Sequence, residues 1–451
     1  MARLFGTDGV RGVANADLTA ELAMELSAAA AKVLGEAGAF TGRRPTALVG
    51  RDTRISGQLL SAAVNAGLAS TGVDVIDVGI VPTPGLAYLV NTQGTDLGVM
   101  LSASHNPMPD NGIKFFQRGG VKLDDSIEDS IEERLNEQWE RPIAGDVGRI
   151  TTDEGHALRQ TYIDALVASL EGVRLDGLKV VIDAANGAAS YTAGPAFEAS
   201  GATVVGINNT PDGLNINDNA GSTHIEGLQA AVVEHGADLG IALDGDADRC
   251  LAVDATGAVV DGDHIMAILA LDLKEQGKLH NNTLVATIMS NLGLIIAMRE
   301  HGIQVEQTRV GDRYVLEAMA QNGFTLGGEQ SGHVIISEYA NTGDGVLTGL
   351  HVAARVARSG RSLASLASVM TTLPQVMINV PNVDKMRAGV DPEITRAVTQ
   401  ANNKLGMSGR VVLRPSGTEP LVRVMVEAST AENAQQVAEQ LAGLVASRLA
   451  L

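Results

Sequence analysis

Asp96-Leu97-Gly98-Val99-Met100-Leu101 and Asp238-Leu239-Gly240-Ile241-Ala242-Leu243 share one pattern: an acidic residue, a short apolar run with glycine at the same place, then a polar loop. Apolar runs of this length bounded by polar residues read as buried strands. A domain-sized repeat built on them predicts that the loops starting at Ser102 and Asp244 lie beyond the ends of equivalent strands, where open α/β sheets bind their ligands.

Outward from the first copy, residues 46–49 and 73–78 form two more β-branched or apolar runs, separated by stretches of helical composition. Residues 18–34, rich in Ala, Leu, Glu and Met, read as a helix capped by Asp17 or Thr19. A third copy is expected from strands at 283–289 and 303–307, with Phe324-Thr325-Leu326 preceding the polar loop 327–333. The end of the chain differs: strand-like stretches at 375–380, 411–413 and 422–426 and a final helix from Ala431 predict a smaller α+β domain. The fold class is therefore α/β, with expected domains at 1–150, 151–255, 256–372 and 373–451.

A chain of 451 residues is too long for one ordinary core. Its 51 glycines and 3% aromatic content suit a turn-rich α/β protein. The formal net charge of -20 argues against nucleic acid or an anionic membrane as partner, because both call for a basic face. An anionic small substrate would need cations gathered locally. Cys250 is the only cysteine, so neither an intrachain disulfide nor a cysteine zinc cluster is expected. The start reaches Gly6 before any signal-like apolar stretch, and no apolar run approaches membrane-spanning length; a cytoplasmic location is expected.

The loop Ser102-Ala103-Ser104-His105-Asn106-Pro107 can present Ser104 as a nucleophile, although by itself a capped strand-to-helix turn is the plainer reading. It lacks the glycines of a nucleophile elbow, and adjacency of Ser104 and His105 makes no triad. In Asp244-Gly245-Asp246-Ala247-Asp248-Arg249 the alternating carboxylates can converge on one hard cation, magnesium, leaving positions open for a phosphate oxygen. An EF-hand does not fit, since Arg249 stands at its glycine position and Ala255 at its bidentate Glu; a solvated acidic turn is the remaining alternative. Arg249 would add a cation against the same phosphate.

Gly327-Gly328-Glu329-Gln330-Ser331-Gly332-His333 offers a carboxylate and a hydroxyl to neighbouring sugar hydroxyls, or is simply a glycine turn between strands. Arg414-Pro415-Ser416-Gly417-Thr418-Glu419-Pro420, with Arg423 beyond, suits a phosphate dianion, or is a plain polar turn. Arg11, in Phe5-Gly6-Thr7-Asp8-Gly9-Val10-Arg11-Gly12, could meet an anion, as could Lys114; each could equally be a solvated charge.

Taken in order, residues 7–12, 102–107, 244–249, 328–333 and 414–420 resemble the α-D-phosphohexomutase superfamily across essentially the whole chain, with Phe5 to Gly12 and Gln330 most similar to its amino-sugar members. The resemblance implies three related α/β domains with mixed sheets and a smaller phosphate-binding domain, arranged around a central cleft. It implies that Ser104 is phosphorylated, that Asp244, Asp246 and Asp248 hold magnesium together with Ser104, and that Glu329 and Ser331 bind the sugar, beside His333. Arg414, Ser416, Gly417, Thr418 and Arg423 match the distal phosphate clamp. Lys114 and His105 are candidate proton carriers, with His333 behind them, and Arg249 and Arg11 are the catalytic cations.

The implied reaction interconverts glucosamine 6-phosphate and glucosamine 1-phosphate through phosphoserine and a hexosamine 1,6-bisphosphate that is both intermediate and activator, feeding amino-sugar nucleotide and cell-wall precursor synthesis. A phosphosugar is the expected partner and a homodimer the candidate assembly. A phosphoglucomutase or phosphomannomutase, a metal-dependent phosphatase and a non-catalytic phosphosugar binder are the rival readings.

Overall fold

The computed structural model describes residues 3–6, 8–40, 42–416 and 421–451. The chain forms two compact units, residues 1–289 with 305–369, and residues 290–304 with 370–451.

The first unit carries three α/β sheets built to one plan. In the first, Asp74–Ile80, Thr46–Arg51, Leu97–Leu101 and Asp110–Gln117 lie side by side in that order. Gly9–Val13 and Phe5–Gly6 extend the sheet at one edge and Ile150–Thr152 at the other, while Val121–Lys122 pairs with Asp110–Gln117. The second places Thr203–Ile207, Lys179–Asp183, Leu239–Leu243 and Cys250–Asp254 in the same relative order, closed by Val259–Val260. The third is Gln304–Thr308, Thr283–Thr287, Leu326–Gly328 and Val334–Ile336. In each sheet the third strand in chain order runs parallel to the first and antiparallel to the fourth, so the sheets are mixed.

The third strand of each plan begins Leu-Gly, and the glycine has a packing reason. A Cβ on Gly98 would stand 2.5 Å from Val90 Cγ2, one on Gly240 2.5 Å from Val232 Cγ2, and one on Gly327 2.6 Å from Met319 Sδ. Those contacts come from the helices Thr83–Thr92, Glu226–His235 and Asp312–Asn322, each of which presses directly on its strand. Every residue of Leu97–Leu101 and Leu239–Leu243 is buried, the continuous apolar reading that a strand covered on both faces requires. The helix Ala20–Glu36 is capped by Thr19, whose side chain accepts from Leu22 N.

In the second unit Gln375–Pro381, Leu421–Glu427 and Arg410–Pro415 make an antiparallel sheet with Leu421–Glu427 in the centre. Helices Pro392–Leu405 and Ala431–Leu449 accompany it, and Val422, Val424, Val426, Ala438, Leu441 and Val445 fill its core. Among the described residues, no helix is long and apolar enough to cross a membrane.

Candidate active site

The common plan puts three polar loops at one structural address, between the third and fourth strands of each sheet. The first follows Leu101 and carries Ser104, the second follows Leu243 and carries the acidic run, and the third follows Gly328 and carries Glu329 to His333.

Ser104 is buried and adopts a left-handed backbone (φ 52°), unusual for a residue with a Cβ. A network holds it there. Its N–H donates to Ser102 Oγ at 2.9 Å, and Ser102 Oγ donates to Asp52 Oδ2 at 2.6 Å. Arg54, wholly buried and paired with Asp52 at 3.0 Å, donates to the carbonyls of Ser104 (3.0 Å), Asn106 (2.8 Å) and Pro107 (2.6 Å). Asn217 Nδ2, from the second sheet's loops, donates to the Ser104 and Asn106 carbonyls at 2.9 and 3.0 Å. Backbone strain at Ser104 is thus maintained by a buried ion pair and an amide.

The acidic loop backs directly onto this turn: a Cβ on Gly245 would lie 2.4 Å from Ser104 O. Ser104 Oγ donates to Asp244 Oδ2 at 2.6 Å and lies 3.2 Å from His105 Nδ1. Asp244, Asp246 and Asp248 are buried and offer carboxylate oxygens all within 4.8 Å of one another. Burial, then Asp248 and Asp246, push the Asp244 carboxyl well above its usual range. Asp246 goes the other way: burial would raise it, but Lys114 Nζ at 2.7 Å and Thr83 Oγ1 at 2.6 Å outweigh that and hold it at about 2.

Whether this set suits a cation is answered by its unused atoms. Asp246 Oδ1 and Asp248 Oδ1 are buried without a hydrogen-bond partner, which is costly for a carboxylate oxygen unless something positive completes it. Three converging carboxylate oxygens suit a hard divalent ion, and the donor set fits magnesium.

Lys114 is buried and also pairs with Asp8 at 2.7 Å. Burial would lower its pKa, but Asp246 and Asp8 drive it upward, so it is a fixed ammonium. Asp8 further holds Arg11 at 2.8 Å and Lys122 at 2.7 Å, and Arg11 Nη1 reaches Asn106 Oδ1 at 3.4 Å. Arg249 N donates to Asp244 Oδ1 at 3.2 Å, its side chain is partly open and its Nε has no hydrogen-bond partner. Burial, with Arg249 and Arg11 adding to it, lowers the His105 imidazole to about 4, leaving it neutral.

In the third loop Glu329 Oε1 accepts from Gly311 N at 3.1 Å, and Ser331 is exposed. His333 is buried with neither ring nitrogen hydrogen-bonded, 3.9 Å from Asp312 Oδ2 and 4.0 Å from Asp248 Oδ2. In the second unit, Arg414 and Arg423 face each other in register on adjacent strands, two like charges that an anion would reconcile. Ser416 is buried beyond them, while Gly417 and Thr418 lie outside the described residues.

Sequence reasoning brought forward Ser104, His105, Arg11, Lys114, Arg249, the three aspartates and His333, which the first unit gathers. It missed Asp52, Arg54, Asn217, Lys122 and Asp312. A signal for one pair existed: Asp52-Thr53-Arg54 follows the buried strand Thr46–Arg51, the place where an α/β sheet sets its ligand loops.

Models of the phosphoglucomutase/phosphomannomutase family match the chain in sequence: alpha/beta/alpha domain I over residues 2–141, domain II over 160–257, domain III over 261–373 and the C-terminal domain over 377–444. The chain is 68% identical over 452 aligned positions to phosphoglucosamine mutase of Cutibacterium acnes, covering 100% of both chains. Its fold is similar to that of a phosphoglucomutase/phosphomannomutase family protein from Burkholderia thailandensis, with a TM-score of 0.81 at 22% identity, covering 100% of this chain and 98% of the other. It is similar also to Aspergillus fumigatus N-acetylphosphoglucosamine mutase in complex with GlcNAc-6P and magnesium, with a TM-score of 0.68 at 18% identity, covering 98% and 95%.

Proposed function

The chain belongs to the phosphoglucosamine mutase family, and we propose that it interconverts glucosamine 6-phosphate and glucosamine 1-phosphate through a phosphoryl group carried on Ser104. The observation that carries this reading is the 2.6 Å contact of Ser104 Oγ with Asp244 inside a buried, converging carboxylate set. Magnesium held by Asp244, Asp246 and Asp248, with the Ser104 oxygen, would supply positive charge against a phosphoryl group in transfer. The Aspergillus relative was solved with magnesium, which supports this choice of ion.

In the forward direction, a bond forms between a free sugar hydroxyl oxygen and phosphorus as the phosphorus–Oγ bond of phosphoserine 104 breaks, giving a hexosamine 1,6-bisphosphate. The sugar hydroxyl loses its proton in that step, with the buried, unpaired His333 ring a candidate acceptor, and the departing Ser104 Oγ takes one up to become a hydroxyl, so the step consumes no net proton. After the bisphosphate has turned around, its second phosphoryl group passes to Ser104 Oγ as the bond between that phosphorus and the sugar oxygen breaks; the sugar oxygen regains a proton, and the Ser104 proton goes to His105 Nδ1, neutral and 3.2 Å away. Lys114 stays protonated and contributes charge rather than a proton, while Arg249 and Arg11 offset the dianion. Glu329 and Ser331 grip the sugar, and Arg414, Ser416, Gly417, Thr418 and Arg423 form the clamp for the phosphate that is not reacting.

Measuring kcat/KM on the 6-phosphates of glucosamine, glucose and mannose tests the assignment. The highest value is expected for glucosamine; a higher value for glucose or mannose would move the chain to the rival substrate, and stoichiometric release of inorganic phosphate would make it a phosphatase.

A further inference from the structure

One lysine outside the set assigned above joins the sugar loop to the metal loop. Lys122 sits at the end of the short strand Val121–Lys122, paired with the strand that bears Lys114. Its ammonium is partly buried and is shared between Asp8 Oδ1, at 2.7 Å, and Asp312 Oδ2. From Asp8 the charges alternate onward through Lys114 to Asp246 of the metal loop. From Asp312 the connection runs through the neighbouring residue, since Gly311 N–H is the donor to Glu329 Oε1 in the sugar loop. The series Asp312, Lys122, Asp8, Lys114, Asp246 therefore spans the first, second and third sheets' loops with no like charges adjacent.

Removing the middle of such a chain does more than delete an attraction. Asp8 and Asp312 approach the same ammonium, so without it two carboxylates face each other in a poorly solvated place. Asp8 retains Lys114 and Arg11, whereas Asp312 keeps, among the described residues, only the more distant His333 ring, at 3.9 Å. Burial opposes ionisation of Asp312, and Lys122 reverses that, keeping it a carboxylate. The repulsion would push the first residue of the helix Asp312–Asn322, and with it Gly311 and Glu329, away from the phosphoryl-transfer loops.

We propose that Lys122 is a positioning residue whose bridge between Asp8 and Asp312 retains the hexosamine bisphosphate between its two phosphoryl transfers. This rests on the mutase reading. If the bisphosphate escapes after the first transfer, Ser104 is left with its hydroxyl and the enzyme stalls. It restarts only when a bisphosphate donates a phosphoryl group to Ser104 Oγ, leaving as monophosphate with the hydroxyl proton.

The test is progress curves of phosphorylated Lys122→Met, Lys122→Arg, Asp312→Asn and the double variant Lys122→Met/Asp312→Asn, with and without added glucose 1,6-bisphosphate. Lys122→Met is expected to stall after on the order of tenfold fewer turnovers than wild type and to be sustained by the added bisphosphate, because a sugar loop displaced from the phosphoryl-transfer loops holds the intermediate less well. Lys122→Arg should run like wild type, and the double variant should outlast Lys122→Met because the repulsion is gone. A merely structural lysine would lower the rate without creating a bisphosphate requirement. Equal persistence of Lys122→Met and wild type overturns the proposal, as does a double variant no better than the single. If Lys122→Met fails to fold by circular dichroism, Asp312→Asn carries the test: a smaller requirement of the same kind supports the bridge, and none overturns it. A wild-type chain inert on every hexose monophosphate overturns the mutase reading, and this role with it.

Discussion

Ser104 Oγ and Asp244 Oδ2 lie 2.6 Å apart although 140 positions separate them in the chain. The serine loop and the acidic loop meet because each follows the third strand of its own copy of one sheet plan. Gly245 leaves them room to touch.

Replacing Ser104 by Ala removes the proposed phosphoryl carrier while leaving the buried turn filled. Turnover should fall on the order of 10⁴-fold or more, and the phosphorylated mass species should disappear. Stability by urea titration should change little once magnesium is present.

Arg54→Met removes the guanidinium that serves three loop carbonyls and Asp52 at once. A buried ion pair broken on one side costs about 3–5 kcal/mol. Arg54→Lys keeps the charge but cannot reach Asp52 and three carbonyls with one planar fork. It should fold, keep its KM within a few-fold, and lose kcat by about 10²-fold, the penalty of a nucleophile displaced by roughly an ångström.

Magnesium should raise the melting temperature, and chelation should lower it, because converging carboxylates repel when nothing neutralises them. At a concentration 100 times the dissociation constant the gain is about 2.7 kcal/mol. Asp248→Asn should shrink that shift, and the apo form of the variant should be at least as stable as the wild-type apo form. An unchanged shift in the variant would argue against this cation site.

His351 gives a stability prediction with a definite sign. Burial, aided by Arg358 and Lys278, lowers its imidazole to about 4 from 6.5, and Ser169 Oγ lies 3.1 Å from Nε2. Between pH 6.5 and 4 the unfolded chain takes up a proton that the folded chain refuses, so this residue makes stability fall as pH falls. His351→Gln should lose the Ser169 contact at every pH yet escape the acid penalty. From pH 7.5 to 5 the unfolding free energy of the variant relative to wild type should therefore move by about 2 kcal/mol in its favour.

Much of this was legible in the chain itself. The Asp96 and Asp238 echo located the two chemical loops at equivalent strand ends, because a buried strand must be continuously apolar and needs glycine where a helix presses on it. The third copy was harder to see: its strand Leu326–Gly328 is short, and only Leu326-Gly327 repeats the pattern. Lys114 and Arg11 could not be told from solvated charges, since burial of a lysine depends on carboxylates that arrive from distant loops. Arg54 was invisible for a related reason. Its partners are backbone carbonyls near Ser104, and no side-chain pattern marks a carbonyl as waiting for a donor. The bond of Lys122 to Asp312 spans 190 positions and three sheets, and nothing local to either residue announces it.

The central claim is that Ser104 passes its phosphoryl group to the sugar and recovers one from it. The most direct measurement is a single-turnover experiment: enzyme radiolabelled on Ser104 is mixed with glucosamine 6-phosphate and magnesium, quenched over time and separated into protein, bisphosphate, monophosphate and inorganic phosphate. The account predicts label moving from Ser104 to the bisphosphate and then to glucosamine 1-phosphate or 6-phosphate, with almost none in inorganic phosphate. Label that stays on Ser104 while product forms, or that appears directly as inorganic phosphate, would contradict it.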